Sequence, residues 1–180
     1  MKPEIISTEP IYKGRIFDVT RAVVREDGVI YEREIIEHNG SADIVPVFDD
    51  GRVALVRQYR HPAGKYLLEI PAGSLEKGEA PEAGAIRELE EEIGARAARI
   101  ERLTEFYVSP GFLAEKMFVF LATDLTEVGQ KLEEDELLSI EKLIFPKAFE
   151  MIRKGEIEDA KTMVGLILAG ARFGFPFDKR

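Results

Sequence analysis

Apolar positions along this chain come mostly in short runs with the period of a strand, and only later at helical spacing. Runs at 16–24 and 29–36 are rich in β-branched residues and flank Asp27-Gly28, a pair that favours a tight hairpin turn. Asn39-Gly40 then breaks the pattern. Runs at 44–48 and 53–56 flank Asp49-Asp50-Gly51, which predicts a second hairpin. A fourth run, 67–70, leads into Pro71-Ala72-Gly73. Helical periodicity begins at Pro81, where a missing N–H is harmless and Glu82 meets the helix dipole. Gly94 is placed to stop that helix. Further strands are predicted near 98–108, 116–122 and 138–144, and closing helices near 146–153 and 158–171.

Short strands, one helix, more strands and terminal helices read as an α+β fold, not an alternating parallel sheet. At 180 residues the chain can bury one full core, with a small extension. The pattern divides it into an N-terminal β region, 1–40, and a main domain, 41–180. Neither repeats nor low-complexity segments interrupt it.

Composition narrows the function. A formal charge of −9 argues against a nucleic-acid partner, which needs a basic stripe. It leaves room for a phosphorylated small molecule, because a bound divalent cation reverses the local sign. With no cysteine there is no disulfide framework, thiol catalysis or cysteine zinc site. No apolar run reaches membrane-spanning length and the N-terminus lacks a signal core. The expectation is a cytoplasmic protein with no membrane contact.

The chemistry concentrates at 73–95. A glycine turn is followed by the isolated acid Glu79, then by a helix ending in Glu88, Glu90, Glu91 and Glu92 beside Arg87. Like charges at i,i+3 and i,i+4 repel. At about 100° per residue Glu88, Glu91 and Glu92 share one strip, with Ala83, Ile86, Leu89 and Ile93 roughly opposite. Hard oxygen ligands without cysteine or clustered histidine suit Mg²⁺ or Mn²⁺, which takes the rest of its shell from water and substrate phosphates. A glutamate-rich helix is also, in many proteins, only a solvated face.

The ordered spacing resembles the box of the Nudix hydrolase superfamily. Gly73, Glu79, Arg87-Glu88-Leu89, Glu91-Glu92 and Gly94 all stand in register. The one departure is Ala95, where a larger aliphatic is usual. Outside the box, Gly14-Arg15-Ile16-Phe17, Arg33-Glu34, Glu37-His38, Arg57-Gln58-Tyr59-Arg60, 68–73, Ser109-Pro110-Gly111-Phe112 with Glu115, and 159–162 resemble the ADP-ribose pyrophosphatase branch. The resemblance runs from about residue 10 to 170. It implies an α/β/α sandwich around a mixed sheet and Mg²⁺-dependent hydrolysis of ADP-ribose to AMP and ribose 5-phosphate, with Mn²⁺ substituting. Another sugar nucleotide such as GDP-mannose, or a silent nucleotide-diphosphate sensor, is the alternative.

The resemblance also implies roles. Glu88, Glu92 and the Ala72 carbonyl form the metal cradle, and Glu91 and Arg87 assist. The acidic run at 133–136 is by composition a solvated loop. By resemblance it supplies Glu134 as the base for the attacking water and Glu136 as an extra metal ligand; a slip of one residue in that register would make Glu133 the base. Arg60 ends a strand; it is either a surface arginine or a bidentate phosphate ligand. If the strand alternates, Gln58 shares its face. Phe17 and Arg33 would sandwich adenine, the arginine from a partner in a homodimer whose N-terminal regions pack across the two chains. Pro110 and Glu115 sit in a Pro-Gly turn that reads either as a plain turn with core aromatics or as part of the substrate pocket. His38 and His61 are too isolated to pair; Lys161 and Thr162 read as capping or pairing groups.

Overall fold

A computed structural model describes residues 2–132 and 136–178. Among these described residues ten strands and three α-helices follow one another, with the strands in three sheets. β1 (Glu4–Lys13), β2 (Asp18–Glu26) and β3 (Val29–Glu37) form an antiparallel sheet of their own. Its β2–β3 turn has positive φ at both Asp27 (48°) and Gly28 (85°), which is the type I′ geometry the Asp-Gly pair favours.

The main domain holds two further sheets. One runs β7 (Ala72–Ser74), β4 (Ser41–Pro46), β9 (Lys116–Glu127), β8 (Ala95–Tyr107), with β4 and β9 parallel. The other runs β10 (Leu138–Ile144), β5 (Arg52–Arg60), β6 (Lys65–Glu69), all antiparallel. One core joins Val45, Val53, Leu55 and Val119 to α2 (Phe145–Arg153) and α3 (Ala160–Arg172). A second core joins Ala42, Ile44, Ala54, Val56 and Phe120 to α1 (Pro81–Glu88). Alternate residues of each strand thus supply opposite cores, which is the α/β/α sandwich. Among the described residues no helix is long and apolar enough to cross a membrane.

Three expectations need correction. Asp49-Asp50-Gly51 does not close a hairpin between strands of one sheet: β4 and β5 belong to different sheets, and pairing across the turn is limited to the isolated antiparallel bridge Val47–Val53 and the bond from Phe48 N–H to the Arg52 carbonyl. All six residues of β4 are buried, and its two edges are taken by β7 and β9, so no edge remains for β5. The box helix does not turn Ala83 and Ile86 inward either; both are exposed, Ile86 at 45%. Its buried residues are Gly84, Ala85, Glu88, Leu89, Glu92 and Ile93, so small side chains bring the helix close and two acids go in with it. The third concerns β1, which lies inside the expected N-terminal β region but has no predicted run of its own. Every residue of it is exposed, so no apolar alternation marks it.

Leu166 on α3 is fully buried in the first core. Leu166→Ala is expected to cost about 2–5 kcal/mol through lost burial and a residual cavity, read from chemical denaturation.

Candidate active site

Gly73 lies in β7, and a Cβ there would stand 1.8 Å from Glu88 Oε1. The Glu88 carboxylate therefore occupies the volume that any side chain at 73 would fill. Past Glu88 the helix widens into one π-helical turn, Leu89–Ile93, a distortion often found at functional sites. Gly94 ends it with φ 67°, the left-handed cap that glycine adopts without strain.

The same helix end anchors the chain beyond β9. Val128 N–H and Gly129 N–H donate to the Gly94 carbonyl (2.7 and 3.1 Å), and Lys131 N–H to the Glu91 carbonyl (3.0 Å). The Gln130 side chain donates to the Glu92 carbonyl at 2.6 Å. These bonds satisfy carbonyls that a helix end leaves open and carry the chain toward the acidic run. Glu133 and Glu134 of that run lie outside the described residues. Glu136, beyond them, is close enough to raise the pKa of both Glu88 and Glu92.

Arg87 organises the acids. Its Nε and Nη2 donate to the two oxygens of Glu79 (both 3.1 Å), its Nη1 to Glu88 (2.5 Å) and Glu91 (3.1 Å), and its Nη2 also to the Ser74 carbonyl (3.2 Å). Glu79 in turn accepts from Glu76 N–H at 2.9 Å. Such a planar fork orients carboxylates; a lysine cannot span them. Arg87→Lys is expected to lower activity about 10–100-fold, the usual loss when a group that orients metal ligands is removed. Steady-state kinetics with a circular-dichroism check of folding decide it.

Glu88 and Glu92 are buried, at 5% and 3% exposure. Burial, with neighbouring Glu91 and Glu136, pushes Glu88 up to about 7 against the pull of Arg87. Burial pushes Glu92 up to about 8, with Glu88 and Glu136 adding to it, although Ala72 N–H donates to its Oε2 at 2.9 Å. Among the described residues the acids do not already close on one point as a group of three. Glu88 gives one oxygen to Arg87 and Glu92 one to Ala72 N–H. The remaining oxygen of each accepts no hydrogen bond from the described residues. Two buried like charges with unspent oxygens, held in a glycine cradle, fit a hard divalent cation.

One cavity of about 890 Å³ opens beside this cradle, lined by Phe17, Arg60, Ala72, Glu92, Glu115 and Glu136 among others. Arg33 and Pro110 line a separate cavity of about 410 Å³, and Arg33 instead stacks over the Tyr31 ring at 4.1 Å. The larger cavity contains groups that sequence reasoning did not single out. Asp43 is fully buried, accepts from the Ser41 hydroxyl at 3.2 Å, and burial pushes it to about 7 against the opposing charge of Lys161. Gln58 Oε1 is buried with no hydrogen-bond partner among the described residues. Its place beside Arg60 on an alternating strand was the only sequence signal for it. His38 packs at 3.8 Å from Glu115 and accepts from Gly40 N–H.

Sandwich, glycine loop and acid-lined helix together define a Nudix domain, and the family model of the NUDIX domain matches residues 37–163. The chain belongs to this family. It is 39% identical over 165 residues to the ADP-ribose pyrophosphatase of Bacillus subtilis (strain 168), covering 90% of this chain and 89% of that one. It is 37% identical over 164 residues to the methanol dehydrogenase activator of Bacillus methanolicus, covering 89% of each. A crystal structure of an ADP compounds hydrolase superposes with a TM-score of 0.85 at 24% identity, covering 97% of this chain and 95% of that chain; this likeness establishes the fold alone.

Proposed function

We propose that this protein hydrolyses the diphosphate bond of ADP-ribose, releasing AMP and ribose 5-phosphate, with Mg²⁺ at the Glu88–Glu92 cradle and Mn²⁺ able to replace it. The supporting observation is that one cavity contains a guanidinium (Arg60), the acid cradle (Glu92, Ala72, Glu136) and an aromatic side chain (Phe17). Those are the groups needed to hold a diphosphate and a base at once.

In this reading Glu88, Glu92, Glu136 and the Ala72 carbonyl hold the cation. Bound there, it would neutralise the diphosphate and lower the pKa of a water. Arg60 holds a phosphate through its free N–H groups. Arg87, with all its directions spent on Glu79, Glu88, Glu91 and the Ser74 carbonyl, fixes the carboxylates and does not reach substrate. Glu134 takes a proton from the attacking water. The water oxygen bonds to one phosphorus while the bridging oxygen leaves with the other phosphate. Positioning and charge compensation supply the rate, as phosphoryl chemistry requires.

We further propose that two chains share each site. β1 has Ile5, Ile6, Ile11 and Tyr12 exposed, apolar surface that a second copy would cover. Arg33 does not reach its own chain's large cavity, so it would meet adenine only across that contact. Light scattering at micromolar concentration should report a dimer; an active monomer would refute the shared site.

The relative named as an activator supports a second reading, in which the chain acts on a partner protein. Chromatographic product analysis separates the two. AMP release from ADP-ribose with Mg²⁺, abolished by EDTA, is the result expected. Retained ADP-ribose binding with no AMP would favour the regulatory reading, and faster turnover of GDP-mannose would move the substrate within the class.

A further inference from the structure

The phosphate-binding arginine is not free in its cavity. Arg60 Nε and Nη2 donate to the two oxygens of Glu69 at 2.8 and 2.9 Å, a fork that fixes the guanidinium plane. Glu69 is 1% exposed and Lys161, which donates to the same Glu69 Oε2, is 6% exposed. Lys161 also meets Asp159 Oδ1 at 3.0 Å. Asp159 caps α3: its Oδ2 accepts from Thr162 N–H at 2.9 Å and from the Thr162 hydroxyl at 2.5 Å. That hydroxyl accepts from Ile70 N–H at 2.8 Å, fastening the helix start to the chain between Glu69 and Ala72.

Resting on the proposed reaction, we infer that Asp159, Lys161 and Glu69 are positioning residues, a row of alternating charge, buried at Lys161 and Glu69, that aims Arg60 at the substrate diphosphate. The signs run negative, positive, negative, positive from Asp159 to Arg60, and both cations line the cavity. Arg60 ends the row with its side chain 39% exposed and Nη1 without an acceptor among the described residues. Burial by itself would raise the pKa of Glu69; Arg60 and Lys161 outweigh it and hold the carboxylate charged.

The presence of Lys161 explains why the arrangement can bind an anion at all. A lone Glu69 would cancel the charge of Arg60 and repel phosphate. Lys161, which lines the same cavity, compensates Glu69, so Arg60 keeps its field. A well-packed apolar cluster would stabilise the fold as well as this row does, so stability alone does not account for it. Arg57, on the other face of β5, shows the contrast: it pairs with Glu141 at 2.5 Å in a partly exposed bridge, the kind worth little.

The test is the affinity of a non-hydrolysable α,β-methylene ADP-ribose, measured by calorimetry in EDTA, alongside kcat and KM with Mg²⁺ and thermal midpoints. Arg60→Lys should weaken analogue binding, which establishes the premise. Lys161→Met should weaken it on the order of 10–100-fold, the cost of a misaimed binding group, with KM rising more than kcat falls. Adding Glu69→Gln to Lys161→Met should restore part of the affinity, because it removes the uncompensated charge. A role confined to stability would lower the midpoint and leave affinity alone.

The inference is overturned by wild-type affinity in Lys161→Met, or by a double variant weaker than Lys161→Met. It is equally overturned by a wild-type protein that has no affinity in EDTA or is indifferent to Arg60→Lys. If Lys161→Met does not fold, Glu69→Gln decides alone: weakened binding supports the row and unchanged binding ends it. A wild type that shows the binding pattern yet releases no AMP refutes the proposed reaction and leaves the row standing.

Discussion

Glu92→Gln is expected to lower turnover at least ~10³-fold, since in the proposed reaction it removes a negative charge that would hold the cation against the diphosphate. The substitution is nearly isosteric, and its amide oxygen can still accept from Ala72 N–H, the bond Glu92 makes at 2.9 Å. The loss is therefore one of charge, not of shape. The thermal midpoint in EDTA does not fall. Burial, with Glu88 and Glu136 alongside, holds Glu92 up at about 8, and a carboxylate raised above its unfolded value makes the fold less stable once pH exceeds that unfolded value. Losing that charge relieves the fold while disabling the site. A midpoint that drops steeply, or turnover near the wild-type rate, would contradict the cradle.

Gly73→Ala is expected to lower activity about 10²–10³-fold, comparable with the loss of one transition-state contact. The new Cβ would lie 1.8 Å from Glu88 Oε1 and 2.0 Å from its Cδ, so Glu88 must swing away and give up its bond to Arg87. Gly73 has no positive φ, and the backbone accepts alanine without strain. The effect thus lies in the displaced carboxylate. Kinetics would show lower kcat and weaker dependence on divalent cation; unchanged values would mean that Glu88 is not held where its geometry places it.

The acidic helix was legible because its motif is a fixed spacing within one element; the direction read from that spacing was not, since Glu88 and Glu92 are buried beside Leu89 and Ile93 while Ile86 is exposed. Gln58 and Arg60 were legible as neighbours through their spacing: they alternate on one strand. Other parts depend on tertiary placement, which local pattern does not carry. The turn signal at 49–51 is real, since Gly51 takes φ 78° and Gly51 N–H donates to the Phe48 carbonyl. It reverses the chain without stating which sheet receives each strand. Asp43 and Glu69 look in sequence like polar positions on the outer face of strands. They are buried because α3 and β5 bring Lys161 and Arg60 against them. Lys161 was read as a pairing group, which its bonds to Glu69 and Asp159 agree with; its path to Arg60 was not visible. Within the expected N-terminal β region the bounds of β1 were not legible, because an exposed strand needs no apolar alternation.

All of this rests on a hard cation seated between two buried glutamates and a diphosphate. Electron paramagnetic resonance of Mn²⁺ titrated into the protein with the methylene analogue measures that seat directly. Wild type should bind Mn²⁺ more tightly with the analogue than without it, and Glu92→Gln should lose that site. Equal Mn²⁺ binding by both proteins, or none by either, would contradict it.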